Sequence, residues 1–127
     1  MIHRTKRILA SAVLSASLFA TGALAHHGWS WAEADQIELT GTIAEIYIGQ
    51  PHPTLQVEAE DGMWTVELGN PNQTTTSGFV EGSAAVGDEI VALGNRSTDP
   101  DALLMKAVRI TVGGQTFDIY PDRIQGS

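Results

Sequence analysis

The chain has 127 residues, enough for one compact domain and too few for two. Seven Lys and Arg against fifteen Asp and Glu give a formal charge of −8 with the four His neutral. That balance argues against a nucleic-acid binder, whose affinity comes from basic side chains displacing counterions from phosphates. Cysteine is absent, which excludes disulfides, thiolate metal sites and Cys nucleophiles.

The first 25 residues have the pattern of a cleaved secretory signal peptide. Met1 to Arg7 carries Arg4, Lys6 and Arg7 and no acid, Ile8 to Ala20 is uncharged, and Ala23-Leu24-Ala25 is an A-x-A cleavage site. The apolar stretch is built from small Ala and Ser residues and is weak for a retained transmembrane anchor. The expected location is therefore periplasmic or secreted, with no stable membrane anchor after cleavage. Cleavage after Ala25 removes three basic residues and no acid, leaving 102 residues with four basic against fifteen acidic and a formal charge of −11. Residues 26–122 are expected to form one domain, and 123–127 a loose tail.

From Ile37 to Ile48 apolar residues alternate with polar ones, but the phase slips midway. Ile37, Leu39 and Ile43 are odd-numbered, whereas Ala44, Ile46 and Ile48 are even. A strand changes face only through a bulge or bend, and Gly41 is the expected place for one. Leu55, Val57 and Ala59 predict a half-buried second strand. Asp61-Gly62 reads as a type I′ hairpin turn, and Trp64, Val66 and Leu68 continue the buried face beyond it. Asn70-Pro71 predicts an N-cap followed by proline at the first helical position, and the threonines after it make the helix short. Glu89 to Gly94 predicts a fourth strand with Ile90, Val91 and Leu93. Arg96 to Asp101 reads as a polar loop. Leu104, Val108, Ile110 and Val112 share a phase in a fifth strand that Lys106 interrupts. Gly113-Gly114 predicts a two-residue turn into a short last strand, Gln115 to Tyr120.

A long bent strand, a hairpin, a short helix and further strands predict an all-β fold, a small OB-like five- to six-stranded barrel with one short helix. The alternative is a small β-sandwich.

Three histidines remain after cleavage: His26, His27 and His52. Cleavage after Ala25 makes His26 the N-terminus, where one residue offers two nitrogen donors, its α-amine and its ring Nδ1. A free α-amine has an ordinary pKa of about 7.7–8.0, so a metal can displace its proton near neutral pH. His27 adds an imidazole. His52 lies in Gln50-Pro51-His52-Pro53, where flanking prolines stiffen the loop and reduce the entropy lost on binding. Amine and imidazole donors without thiolate suit copper, with zinc or nickel as alternatives, and the Irving–Williams order favours copper. The opposing interpretation is a frayed, solvated terminus and a structural loop histidine.

Trp29 and Trp31, two apart, share a side if the segment is extended, where they either cover an open end of the fold or form an aromatic wall for a ligand. Met63 and Met105 are candidate soft Cu(I) ligands, although a single Met in a strand is usually packing. Glu58, Glu60 and Asp61 read as a solvated rim. No G-x-S-x-G elbow, P-loop or dinucleotide fingerprint is present, so the sequence gives no catalytic motif and the protein is not expected to be an enzyme.

The order Ala25-His26-His27-Gly28-Trp29-Ser30-Trp31, Gly41-Thr42-Ile43, Pro51-His52, Trp64-Thr65-Val66-Glu67, Asn70-Pro71 and Gly87-Asp88-Glu89-Ile90-Val91 resembles the small exported bacterial proteins grouped as domain of unknown function 6152. The resemblance runs from His26 to Asp122. Members carry His-His after the signal and Asn-Pro-His between the first two strands; here Gln50 replaces that Asn, and the histidine carries over at His52. The resemblance implies an exported β-barrel-like domain and groups His26, His27 and His52 as one set. The expected function is periplasmic metal binding or handling, with copper the first candidate. The alternative is an OB-like module that binds an envelope protein or small ligand and has no metal role.

Overall fold

Six strands form one sheet that closes on itself. The computed structural model describes residues 28–126, so the signal-like region, His26 and His27 lie outside the described residues. From Trp31 onward the chain forms one unit, and Gly28–Ser30 belong with the segment before it. The strands are β1 (Ala32–Tyr47), β2 (Thr54–Ala59), β3 (Gly62–Glu67), β4 (Glu89–Ser97), β5 (Leu104–Val112) and β6 (Gln115–Asp118). One helix, α1 (Pro71–Thr76), links β3 to β4, and a 3₁₀ turn (Pro121–Arg123) follows β6. The sheet order is β3-β2-β1-β4-β5-β6. All neighbours are antiparallel except β3 and β5, whose parallel pairing closes the ring. This is the all-β, OB-like arrangement with one short helix that the pattern predicts.

The core is the inward side of that ring. Leu39 and Ile43 of β1, Leu55 and Val57 of β2, Trp64 and Val66 of β3, Ile90 and Ala92 of β4, and Met105, Ala107, Ile110 and Val112 of β5 are all buried in one cluster. Phe79 and Phe117 add an edge-to-face pair, with ring centroids 5.3 Å apart and planes at 86°. Met105 is fully buried in this cluster and Met63 is exposed on the other face of the sheet, so the first serves packing. Among the described residues no helix is long and apolar enough to cross a membrane.

The phase slip in β1 is real, but it falls at Ala44 and not at Gly41. Ile43 pairs with Val57 and Glu45 with Gln56, leaving Ala44 as the extra residue of a bulge. Gly41 has a different task. A Cβ there meets the Glu58 carbonyl oxygen and Val57 Cγ1, so glycine lets β2 approach closely. A second slip falls at Val108, because Leu93 pairs with Arg109 and Gly94 with Ala107. The Val108 carbonyl turns away from that ladder and accepts from the amides of Ile119 (2.8 Å) and Tyr120 (3.1 Å). The bulge also shifts the inward phase of β5, so Met105 and Ala107 face the core where alternation alone predicts Leu104 and Val108.

Two other expectations change. The β2–β3 turn is Glu60-Asp61, closed by the Ala59–Gly62 pair. Among the described residues no non-glycine residue has positive φ, so this turn is not type I′, which needs two. Asp61 instead accepts a 2.8 Å hydrogen bond from Trp64 Nε1, and Gly62 takes φ 135°. β4 continues through Arg96 and Ser97, residues expected in a loop, because Asn95 and Ser97 are buried against β1. Asn95 Nδ2 donates to the carbonyls of Glu33 (2.9 Å) and Ala34 (3.2 Å), bridging an irregular stretch of the β1–β4 ladder.

Helix α1 starts as its sequence dictates. Asn70 Oδ1 accepts from the Gln73 amide at 2.8 Å and Pro71 fills the first turn. Gly113 and Gly114, with φ 60° and 78°, form the expected two-residue turn between β5 and β6. In the segment expected to be a loose tail, Gln125 exchanges hydrogen bonds with Gln36. Its amide donates to Gln36 Oε1 at 2.9 Å, and its Oε1 accepts from the Gln36 amide at 3.2 Å.

The close approach of β4 and β5 at the second slip makes Gly94 a sensitive position. A Cβ there meets backbone, the Lys106 carbonyl oxygen and Ala107 Cα, which cannot move aside as a side chain can. Gly94→Ala is expected to lower stability by ~2–3 kcal/mol, the usual cost of forcing extra volume into a packed site. Urea unfolding monitored by tryptophan fluorescence measures it.

Candidate functional site

The β1–β2 loop is tied to β3 at its second end. Thr54 pairs with Glu67, and one step beyond the strand the Pro53 carbonyl accepts from the Leu68 amide at 2.9 Å. This short extension of the ladder, with Pro53 itself buried, sets His52 beside Glu67. At the other end of the loop Tyr47 Oη donates to the Gln50 carbonyl at 2.6 Å, and the Gln50–Pro51 peptide bond is cis. The His52 side chain is 33% exposed, accessible yet flanked by protein.

Glu67 is the centre of a cluster of polar groups on the face of the sheet opposite the core. Its Oε1 lies 3.9 Å from His52 Nδ1 and 3.3 Å from Lys106 Nζ. The Lys106 side chain is only 2% exposed, a burial that requires a charged partner. Glu67 and Lys106 are register partners in the parallel β3–β5 pairing, so the ion pair sits on the seam that closes the ring. The Tyr120 ring lies over the ammonium, 5.9 Å from Nζ to the centroid. Burial pushes the Tyr120 hydroxyl above its ordinary pKa, the negative charge of Glu67 adds to the rise, and Arg123 works against it.

The structure places the sequence-predicted residues unevenly. His52 stands in this cluster, whereas His26 and His27 lie outside the described residues. Gly28, with φ 91°, Trp29 and Ser30 lie in a turn. Among the described residues no group of three or more His, Asp or Glu is arranged to hold a metal ion. Glu58, Glu60 and Asp61 are exposed around the β2–β3 turn, as expected of a solvated rim.

Glu67 and Tyr120 were not singled out by sequence reasoning, and Lys106 entered only as an interruption of an apolar strand. That interruption was the available signal, because a lysine inside an otherwise buried strand needs an acid nearby. A groove of about 290 Å³ opens beside the same β1–β2 loop, walled by Ile48, Pro53, Pro71, Phe79 and Val80 with Glu81 among its lining.

Two measurements follow from the cluster. Glu67→Ala takes a counter-charge from a buried ammonium and is expected to cost ~2–3 kcal/mol, below the full buried-pair value because Glu67 is partly exposed. Chemical denaturation at neutral pH reads it. The raised Tyr120 pKa means that the folded state holds the phenolic proton more tightly than the unfolded chain. Its contribution is therefore complete below pH ~10 and lost as pH rises through the folded-state value. Absorbance titration near 295 nm is expected to show a tyrosine ionising above the ordinary range, and Tyr120→Phe removes that step.

Residues 12–104 match the model of a family described as "Family of unknown function (DUF6152)". No curated protein matches the chain by sequence. Among solved structures, the chain is similar to one titled "Crystal structure of the TiaS-tRNA(Ile2)-ATP complex", at 16% identity and a TM-score of 0.48. The similarity covers 61% of this chain and 18% of that one, so the chain spans under a fifth of that relative's length.

Proposed function

The chain belongs to DUF6152, a family of unknown function, and we propose that it is an exported copper-binding domain that holds or delivers the ion. Its donors are the α-amine and ring of His26, the ring of His27 and the ring of His52. The observation that carries the proposal is the setting of His52. Its ring is one-third exposed on a loop tied into the sheet, with a carboxylate facing one ring nitrogen at 3.9 Å. Metal-binding imidazoles characteristically hydrogen-bond through their other ring nitrogen to a carboxylate, carbonyl or water, and Glu67 stands on that side of His52, beyond hydrogen-bonding distance.

The terminal donors rest on sequence. The signal-like residues 1–25 end in a cleavage pattern that frees the amine of His26. Amine and imidazole nitrogens without thiolate favour copper over zinc and nickel. A formal charge of −11 on the processed chain raises the local concentration of cations. The role proposed is to hold the ion and hand it on.

Isothermal titration of Cu(II) into protein beginning at His26 tests the proposal. Sub-micromolar binding is expected, weakened at least ~10-fold by His52→Ala, the usual scale for losing part of a metal's surroundings. One extra residue before His26 is expected to weaken it as well, because the amine then becomes an amide. Micromolar or weaker binding that ignores His52→Ala contradicts the proposal.

A further inference from the structure

We propose that Glu67, held in place by the buried Lys106, is a positioning residue that sets the tautomer of His52. It keeps the proton on Nδ1 and leaves Nε2 as the open donor nitrogen. This deepens the copper reading above and rests on it for its purpose, although the tautomer itself is a property of the metal-free protein.

A neutral imidazole carries its proton on one ring nitrogen and offers the other as a donor, and what faces each nitrogen decides which is which. The nitrogen of His52 that faces the carboxylate is Nδ1, 3.9 Å from Glu67 Oε1. That separation exceeds a hydrogen bond, so the influence is electrostatic. A negative charge beside one edge of the ring favours an N–H there over a lone pair. Without such a neighbour, a neutral histidine prefers its proton on Nε2, so the arrangement reverses the default. Nε2 lies across the ring from Nδ1 and is left with its lone pair free.

The charge that does this is itself fixed. Glu67 Oε1 accepts a 3.3 Å hydrogen bond from Lys106 Nζ, and the two residues are partners in the β3–β5 ladder. Lys106 has 2% of its side chain exposed, so its ammonium is not free to swing into water. On the other side, the Pro53–Leu68 hydrogen bond of 2.9 Å anchors the backbone next to His52. Both members of the His52–Glu67 pair are thus held from the backbone. The Tyr120 ring covers the Lys106 ammonium, 5.9 Å from Nζ to the centroid.

Nitrogen-15 NMR of the metal-free protein at pH ~8, above the ordinary imidazole range, reads the tautomer through two-bond couplings from the ring protons. Wild type is expected to show the Nδ1–H form at His52. Glu67→Gln is expected to shift the ring towards Nε2–H and to weaken Cu(II) binding ~10–100-fold, the range for losing a partner of a ligating histidine. Since Glu67→Gln removes a negative charge from beside the buried Lys106 ammonium, the double variant Glu67→Gln/Lys106→Met removes both charges and is expected to give the same tautomer shift in a folded chain. An Nε2–H ring in wild type, or an Nδ1–H ring that persists in both variants, overturns the inference. An Nδ1–H ring in a wild type that binds no Cu(II) upholds the inference and defeats the copper reading alone, so the two failures are distinguishable.

Discussion

The ring closes through three parallel residue pairs, Thr65–Leu104, Val66–Met105 and Glu67–Lys106, and the last of these is an ion pair with its cation buried. So short a ladder is a weak seam by itself. Parallel pairing is slightly less stable than antiparallel, and joining β3 to β5 closes a long loop at an entropic cost. A buried ammonium narrows the alternatives. Registers that separate Lys106 from Glu67 take a carboxylate away from a buried ammonium, at a cost. The pair therefore acts on register and closure, and the candidate site is a consequence of it. Glu67 faces His52 because the ladder that places Glu67 against Lys106 on one side places it against Thr54 on the other.

The bulges make that closure possible. β1 is 16 residues long and must pair with β4 along one stretch and β2 along another. The extra residue at Ala44 strengthens its coil where the second pairing takes over. In β5 the extra residue at Val108 frees a carbonyl, which draws in Ile119 and Tyr120. That brings the Tyr120 ring over the Lys106 ammonium. Gln73 Nε2 donates to the Ile119 carbonyl at 2.8 Å and ties α1 to the same strip of chain. Elements distant in sequence thus meet on the outer side of one seam.

Local signals in the sequence carried well. Alternation in Leu55, Val57, Trp64, Val66 and Leu68 predicts buried positions, and all five are buried. Asn70-Pro71 predicts a helix start and Gly113-Gly114 a turn, because cap and turn chemistry depend on neighbours within a few residues. Where a residue's role is set from afar, the sequence misleads. Gly41 is the natural site for a bulge, yet its lack of a side chain serves the approach of Val57 and Glu58. Asp61-Gly62 is a strong turn pair, yet the Asp61 carboxylate is engaged by Trp64 and the turn moves back by one residue. Of the site, the prolines around His52 mark it as a stiff loop position. Glu67 is a plain alternating polar residue until Lys106, 39 positions away, is brought against it. No local pattern encodes that meeting.

On the copper reading proposed above, a histidine held beside this seam donates a ring nitrogen to the ion. Pulsed electron paramagnetic resonance of Cu(II) bound to protein beginning at His26 tests it most directly, because modulation from remote imidazole nitrogens identifies histidine ligands. Imidazole modulation is expected in wild type, with the contribution of one ring lost in His52→Ala. A spectrum identical in wild type and His52→Ala, or one with oxygen ligands alone, contradicts it.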